Sequence, residues 1–463
     1  MSQPSRFIPK LLSINVLAGA MLLFAASSAV ALPAPTLFMT TGGTGESGKT
    51  APPSELWRVD PASGATASVG NTGFAITGLA QDPTTGILYG VSNNKSPISP
   101  KTLLTINPAT GSASVVGSLG RVIADITFDS QGRLFGWSEE EDALASIDKA
   151  TGASTPFVEE LNTEGSASAF DLNDNYWLFP EHEDGQYYTV NTNSGVATFR
   201  GTLTPIDAFS SNVSAAAWDC ARTTLYATLN NFGEPPANLV TIDSITGILA
   251  NKGSLPTGAD GIEWYCPLAF EFTSGPIKVA AKKQTLTLGV VRGPRIKGAV
   301  GVNFATVNGS AKAGTDFVAA AGALGFANNV SGGSVAVTIK GDPKAGKNRK
   351  FSVALSSPTA GGTVGAPLQI TILAAKPKPA KIKGSNQTSS DRPVFRLKSA
   401  QLPARFRCKL DNGKFKGCGK NSKKGKKYKT PELDPGKHTL KVQVVNGAGK
   451  KSKPAKKVFT VLP

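Results

Sequence analysis

Short apolar stretches with strand-like alternation recur along the chain, separated by turns rich in glycine, asparagine and aspartate. One unit recurs between residues 36 and 266: a β-rich stretch, then Asp or Asn, three further residues and Gly. Its five copies end at Asp60–Gly64, Asn107–Gly111, Asp148–Gly152, Asn191–Gly195 and Asp243–Gly247. Because Asp and Asn can bond to their own backbone and Gly accepts a positive φ, each copy predicts a tight turn between two strands.

A second unit interleaves with the first: a strand that ends at Asp and leads into an aromatic strand. Its copies are Ile76–Asp82, Ile123–Asp129, Ser166–Asp171 and Ser214–Asp219. A repeat of about 40–50 residues with four short strands has the size of one propeller blade. The segment starts with a second strand near Leu37 and ends with a first strand near Gly261, which predicts one shared blade and five blades in total.

Residues 32–275 resemble the secreted bacterial β-propellers of the lactonase and quinoprotein-like superfamily. A solenoid or a sandwich is the alternative that the repeat leaves open. Five acids recur in or after the first strands, and we expect them to have structural roles: Asp82, Asp125, Asp129, Asp171 and Asp219. Cys220 and Cys266 follow first strands of adjacent blades, so we expect a disulfide between them; two separate buried thiols are the alternative.

Residues 276–375 carry apolar side chains at alternate positions in five stretches, which predicts a β-sandwich. The stretches that closely resemble the Calx-beta domain are Val302–Thr306, Asn308–Phe317, Leu324–Phe326, Val337–Ile339 and Phe351–Pro358. The resemblance implies a Ca²⁺ site at one end of the sandwich. Asp316 and Asp342 occupy two of the family's ligand positions.

The other positions of that Ca²⁺ site depart from the family. Cations stand at or beside them: Lys282, Lys283, Lys344, Lys347, Arg349 and Lys350. Because Ca²⁺ needs about six to eight oxygen ligands and a negative cage, these cations oppose its binding. We therefore expect a degenerate site and no cofactor, with Ca²⁺ at Asp316 and Asp342 as the alternative.

Residues 376–385 are rich in Lys, Pro and Ala and predict a stiff, extended linker. Beyond it, residues 386–463 alternate at period two and resemble bacterial Ig-like modules, which implies a small antiparallel sandwich. Cys408 and Cys418 flank the hairpin turn Asp411–Gly413, so we expect a disulfide across this hairpin. The predicted fold class is therefore all-β: a five-bladed propeller followed by two sandwiches.

Charge is distributed unevenly over these regions. The 463-residue chain has a net charge of +17, but basic and acidic side chains number 12 and 26 in residues 1–274. They number 12 and 2 in residues 275–375, and 25 and 4 in residues 376–463. The last region is a candidate surface for docking on surface polysaccharide, lipid headgroups or nonspecific DNA. The candidate residues are Lys423, Lys424, Lys426, Lys427, Lys450, Lys451, Lys456 and Lys457.

Residues 1–31 predict a secretory signal peptide, with Arg6 and Lys10 before an apolar run and Ala29–Ala31 as its cleavage site. An uncleaved anchor is the alternative. The protein is therefore expected in the periplasm, at the cell surface or outside the cell. Gly43–Thr50 matches a nucleotide-binding P-loop, but two prolines follow where a helix would have to begin, so we expect no nucleotide.

Two acidic loops, 139–142 and 181–184, contain oxygen ligands suited to Ca²⁺, and His182 is a candidate base. Solvated acidic turns are the simpler interpretation. The chain has two histidines, which excludes a site built from several histidines. We expect an exported, non-catalytic binding or adhesion protein whose propeller presents a ligand face. The alternatives are a Ca²⁺-dependent, lactonase-like hydrolase and a purely structural envelope or matrix protein.

Overall fold

The computed structural model describes residues 34–42, 51–156, 164–181, 185–205, 211–231, 237–341, 346–402 and 404–463. Over these ranges the chain is all-β, with 37 strands and no helix. The same ranges hold no helix that could span a membrane. The predicted signal peptide 1–31, the Gly43–Thr50 motif, His182 and Asp342 lie outside the described residues.

The first region forms five four-stranded antiparallel sheets. Its strands are β1 (Thr36–Thr40), β2 (Glu55–Val59), β3 (Thr66–Asn71), β4 (Ile76–Gln81), β5 (Leu88–Ser92), β6 (Thr102–Ile106), β7 (Ala113–Ser118), β8 (Ile123–Phe128), β9 (Leu134–Ser138), β10 (Ala143–Ile147), β11 (Ser154–Pro156), β12 (Glu164–Phe170), β13 (Tyr176–Glu181), β14 (Gln186–Val190), β15 (Ala197–Thr202), β16 (Ser211–Trp218), β17 (Leu225–Asn231), β18 (Asn238–Ile242), β19 (Leu249–Ser254) and β20 (Ile262–Tyr265). The sheet orders are β20-β1-β2-β3, β4-β5-β6-β7, β8-β9-β10-β11, β12-β13-β14-β15 and β16-β17-β18-β19.

The two ends of the first region meet in one sheet. β20 pairs antiparallel with β1, so that Leu37 lies opposite Trp264 on one side and opposite Val59 on the other. The first strands β4, β8, β12, β16 and β20 contact one another in that order, and β20 also contacts β4. The five sheets therefore follow one another around a closed ring.

The repeated turns connect the third and fourth strands of each sheet, as the sequence predicts. In the first copy, the Gly64 N–H donates to the Asp60 carbonyl at 2.8 Å, and an Asp60 carboxylate oxygen accepts from the Ala62 N–H at 2.8 Å. The final glycines of the five copies have φ between +70° and +82°. Side chains with a Cβ rarely adopt this conformation, which explains the glycine in every copy.

Neighbouring sheets pack closely where a glycine in a fourth strand faces the turn of the next sheet. A Cβ on Gly117 would lie 1.9 Å from the Thr151 carbonyl oxygen, and one on Gly253 would lie 1.9 Å from that of Ser63. The Gly253 contact joins the last sheet to the first. The same packing therefore closes the ring.

The second region is a sandwich of two sheets, as predicted. Its strands are β21 (Leu268–Phe272), β22 (Ile277–Ala280), β23 (Gln284–Pro294), β24 (Val300–Val307), β25 (Ala321–Phe326), β26 (Gly332–Ile339), β27 (Arg349–Ser356), β28 (Thr363–Val364) and β29 (Leu368–Leu373). The sheet orders are β26-β23-β21-β28 and β22-β29-β27-β24-β25. Phe317 and Phe351 stack in its core with ring centroids 4.0 Å apart.

The second region begins before the predicted boundary at residue 275. β21 pairs antiparallel with β23, and Phe270 is fully buried in the core of the second region. Only Cys266 and Pro267 separate β20 of the ring from β21 of the sandwich. A short apolar strand such as β21 shows the same alternation whether it packs in the ring or in the sandwich. The sequence pattern alone therefore could not assign β21 to one of the two regions.

The third region also consists of two sheets. Its strands are β30 (Lys381–Lys383), β31 (Gln387–Thr388), β32 (Val394–Lys398), β33 (Ala404–Leu410), β34 (Lys416–Lys420), β35 (Lys426–Lys429), β36 (Gly436–Asn446) and β37 (Ala455–Val461). The sheet orders are β30-β32-β35 and β31-β37-β36-β33-β34. The predicted linker 376–385 contributes to this region: β30 pairs with β32, and Ala380 is buried in its core.

Candidate functional site

A loop of the second region, between β23 and β24, contacts the ends of first strands in the ring. Its Lys297 is 4% exposed, and the Lys297 Nζ donates to the Phe128 carbonyl at the end of β8. The same Nζ lies 5.3 Å from the centre of the Phe170 ring at the end of β12. Asn329 adds a hydrogen bond of 2.8 Å to the Leu172 carbonyl. One lysine therefore contacts two neighbouring sheets of the ring.

Arg292 holds this loop in shape. It is 2% exposed, and its guanidinium donates to the carbonyl oxygens of Val330 and Gly298 at 2.8 Å and of Ala327 at 3.0 Å. Gly298 has a φ of +80°, and a Cβ there would lie 3.2 Å from the Pro83 carbonyl oxygen of the ring. Backbone carbonyls therefore satisfy a buried cation, and a glycine permits the close approach of the two regions.

Charges of both signs surround Lys297. Burial, together with the Arg222 guanidinium, lowers the pKa of Lys297 well below its ordinary value, although Asp174, Glu263 and Asp129 favour the ammonium form. Burial raises the pKa of Glu263, in β20, to about 7, although Arg222 and Lys297 favour its carboxylate. Opposite charges offset part of each other's desolvation cost. The burial of Lys297, Glu263 and Arg222 at this end of the ring therefore depends on all three being present.

Asp125 differs from the other four repeated acids. It is 1% exposed in β8, and its Oδ2 accepts from the Ser168 N–H of β12 at 3.0 Å, while its Oδ1 accepts from the Ile126 N–H at 2.8 Å. Burial raises the pKa of Asp125 well above its ordinary value, and these two N–H groups oppose that change. Asp125 therefore connects two first strands.

The other four repeated acids cap their own turns, which confirms their predicted structural role. Each accepts a backbone N–H from two or four residues further along, at 2.7–3.0 Å. They are Asp82, Asp129, Asp171 and Asp219. A carboxylate used in this way is less available to an external ligand.

The acidic loop 139–142 is paired with cations. Glu140 forms an ion pair with Lys101, and Glu141 forms one with Arg121. A hydrogen bond from the Ser138 hydroxyl lowers the pKa of Glu141; burial opposes this shift, and Arg121 adds to it. Within the described residues, no group of three or more acids, histidines or cysteines could hold a metal ion. Residues 182–184 of the second acidic loop lie outside those residues.

Asp316, the predicted Ca²⁺ ligand within the described residues, lies beside a cation. It is 3% exposed, and its Oδ1 lies 2.5 Å from the Arg349 Nη1. Its Oδ2 accepts from the Lys312 N–H at 2.8 Å. The Arg349 guanidinium thus supplies positive charge at the carboxylate where the family resemblance implies Ca²⁺.

Both predicted disulfides are present. Cys220, just after β16, bonds to Cys266, just after β20, and Cys408 bonds to Cys418 across the predicted hairpin. The first pair lines a small cavity together with Lys297. Disulfides form and persist in oxidising compartments, which supports export of the protein.

The eight candidate lysines are divided between the two sheets of the third region and the adjoining turns. Lys423 and Lys424 precede β35, which contains Lys426 and Lys427, whereas Lys450 and Lys451 precede β37, which contains Lys456 and Lys457. The Lys450 Nζ donates to the Ala374 carbonyl at 2.9 Å, and the Lys457 Nζ donates to the Asn386 side chain.

Sequence reasoning missed two groups of residues. Lys297 gives no local signal, because its partner Phe128 is 169 residues away. The second group lies on one face of the five-stranded sheet of the third region and has a visible signal, the alternation Arg405-x-Arg407-x-Lys409. This alternation places three cations on one side of β33.

We expect Lys297→Met to loosen the contact between the ring and the second region. The substitution keeps a long apolar stem but leaves the buried Phe128 carbonyl without its hydrogen-bond donor, which costs about 1–3 kcal/mol locally. Amide hydrogen exchange should accelerate by roughly 10- to 100-fold in residues 128–132 and 294–298, and much less in β33.

Lys312→Met is the matched control, because Lys312 is exposed in the same region. Its exchange pattern should equal that of the unchanged protein. Unchanged exchange at residues 128–132 in Lys297→Met would show that Lys297 does not hold the two regions together.

Comparison with known proteins gives one family match. No curated protein matches the chain. Among solved structures, the apo form of the Calx CBD1 domain is 26% identical, with a TM-score of 0.22, and the match covers 23% of this chain and 96% of that one. Virginiamycin B lyase from Staphylococcus aureus is 15% identical, with a TM-score of 0.27, and the match covers 44% of this chain and 64% of that one.

The extracellular domain of a hybrid two-component system from B. thetaiotaomicron is 12% identical, with a TM-score of 0.27. That match covers 92% of this chain and 48% of that one. Residues 267–378 match the model of the Calx-beta domain. The chain therefore contains a Calx-beta domain, and the residues that the structure describes are all-β, as the sequence predicts.

Proposed function

We propose that the chain is an exported, non-catalytic binding protein whose five sheets are the blades of a five-bladed β-propeller with a ligand-binding face. The observation that carries this proposal is the buried contact of Lys297 with the ends of β8 and β12. This contact assigns one end of the ring to attachment of the Calx-beta domain. The ligand face is then the opposite end, where β4, β8 and β20 begin.

The buried acids at the first strands of the ring already have partners within the protein, which supports binding rather than catalysis. A general base must be able to reach a proton on its substrate. Asp125 accepts two backbone N–H groups, and Glu263 is buried beside Arg222 and Lys297. Such groups stabilise the ring and position its strands.

In this proposal the Calx-beta domain is a spacer, and the third region is the docking module. The pairing of Asp316 with Arg349 supports a domain held together without Ca²⁺. The 25 basic and 4 acidic side chains of residues 376–463 favour attachment to an anionic polymer at the cell surface or in a matrix.

A test uses the full chain on arrays of neutral and acidic glycans, in parallel with a panel of lactone and ester substrates assayed with Ca²⁺ and with EDTA. We expect saturable binding to a subset of glycans and no turnover. Turnover that requires Ca²⁺ would make the protein a hydrolase. The absence of saturable binding to every glycan would leave a purely structural role and overturn the proposal.

A further inference from the structure

Seven cations share the outer face of the five-stranded sheet in the third region, which we call the cationic face. The inward positions of its strands are buried, for example Phe406, Val442 and Phe459. Strand side chains alternate between the two faces, so the intervening positions point outward. The cations of the face are Arg405, Arg407, Lys409, Lys420, Lys437, Lys441 and Lys456.

The register of the strands brings like charges directly opposite each other. Lys441 of β36 is the pairing partner of Lys409 in β33 and of Lys456 in β37. Three lysines therefore form one row across three adjacent strands. On the far side of β33, Arg405 lies opposite Lys420 of β34.

The strands of the cationic face contain no carboxylates that could neutralise its positive charge. None of the four strands β33, β34, β36 and β37 contains Asp or Glu. Nearby acids are used elsewhere: Asp411 pairs with His438, and Glu432 pairs with Arg392. Among the ion pairs of the described residues, none involves a cation of this face.

Like charges directly opposite each other destabilise a sheet, so this arrangement lowers the stability of the free protein. A bound polyanion would remove the repulsion and release its own counterions. The charges form a grid with a spacing of about 5 Å between strands and about 7 Å along β33. Such a grid suits a chain that carries negative groups at regular intervals.

The other side chains of the face favour a sugar polymer. Thr439, Gln443 and Thr460 alternate outward among the cations and can hydrogen-bond to hydroxyl groups. Outward positions of β33, β36 and β37 hold no aromatic side chain on which nucleic-acid bases could stack. They also hold no large apolar side chain, beyond the half-buried Val445 and Val458, to enter a bilayer.

We propose that the cationic face binds a linear polysaccharide bearing carboxylate or sulfate groups, with the row Lys409, Lys441 and Lys456 at its centre. This inference rests on the proposed function, because it specifies the docking surface and the class of polymer. The proposed docking surface differs from the one expected from the sequence: of the eight candidate lysines, only Lys456 is also one of the seven cations of the cationic face.

The test compares two full-length variants with equal loss of charge. The face variant carries Lys409→Gln, Lys441→Gln and Lys456→Gln. The control variant carries Lys423→Gln, Lys424→Gln and Lys427→Gln, which are all exposed and lie in or just before β35 of the other sheet. The probes are polygalacturonate and dextran sulfate, with a 20-base-pair DNA duplex and vesicles of anionic phospholipid as comparisons. Affinity is measured at several salt concentrations.

We expect the face variant to bind both polysaccharides at least about tenfold more weakly than the unchanged protein at low salt. The slope of log affinity against log salt should become shallower by about 2 to 3, since each lost ionic contact removes roughly 0.7–0.9. The control variant should keep its affinity within about threefold. The melting temperature of the face variant should be unchanged or higher, because the substitutions remove repulsion.

Equal losses in the two variants, or a larger loss in the control, would overturn the cationic face but leave polyanion docking intact. Tighter binding of the unchanged protein to DNA or vesicles than to both polysaccharides would overturn the class of ligand. An unchanged protein that binds none of the four probes would refute the docking part of the proposed function itself.

Discussion

Replacing Arg349 with methionine should lower the free energy of unfolding of the Calx-beta domain by about 3–5 kcal/mol. The reason is the Asp316 carboxylate, which is 3% exposed and lies 2.5 Å from the Arg349 guanidinium. Without the guanidinium, a buried negative charge loses its partner, and the N–H of Lys312 alone cannot replace it. Hydrogen exchange of the core amides in β27, measured in the full chain, reports this loss locally.

Lys350→Met is the control for this prediction, because Lys350 is the exposed neighbour of Arg349 in the same strand. It should change stability by no more than about 0.5 kcal/mol. Adding Asp316→Asn to Arg349→Met should recover part of the loss, since it removes the unpaired charge. If millimolar Ca²⁺ raises the melting temperature of the unchanged protein, Arg349 is not the charge partner on which the domain depends.

The double variant Cys220→Ala, Cys266→Ala should lose about 4 kcal/mol of stability in the ring, because the disulfide closes a loop with a sequence separation of 46 residues. This disulfide joins the strand ends of β16 and β20, next to the loop that carries Lys297. Its loss should therefore also loosen the contact between the ring and the Calx-beta domain. Hydrogen exchange in β16, β20 and residues 294–298 measures both effects.

The second disulfide provides a comparison. Cys408 and Cys418 are 10 residues apart, so the variant Cys408→Ala, Cys418→Ala should lose about 3 kcal/mol, and only in the third region. Faster amide hydrogen exchange in β16 of that variant would contradict the expectation that the Cys408–Cys418 disulfide stabilises the third region alone. A loss below about 1 kcal/mol in the first variant would show that packing alone closes the ring.

Local patterns predicted the elements of this fold well. The turns from Asp60 to Gly64 and in its four repeats follow from short-range hydrogen bonds and from the φ of glycine, and both depend on neighbouring residues alone. Alternation at period two predicted the sandwich of the Calx-beta domain, because it records which face of each strand is buried. The two disulfides followed from cysteines placed beside recognisable strands and turns.

The candidate sites were less accessible to sequence reasoning. The sequence singled out Asp316 as a degenerate Ca²⁺ position and noted Arg349 as a cation, but their contact appears only when β27 lies beside the turn at residue 316. The charge count indicated a basic third region but did not show that Lys409, Lys441 and Lys456 are opposite one another, since that depends on strand register.

The sequence by itself determined the all-β class, the repeated turns, the resemblance to the Calx-beta domain and the separation of acidic from basic regions. Only the tertiary structure decided that Lys297 contacts the ends of β8 and β12, that β21 joins the sandwich, and which cations share a face. Turns and strand faces depend on residues a few positions apart. Burial and strand register depend on residues as far apart as Thr36 and Tyr265, and local sequence carries no record of which of them meet.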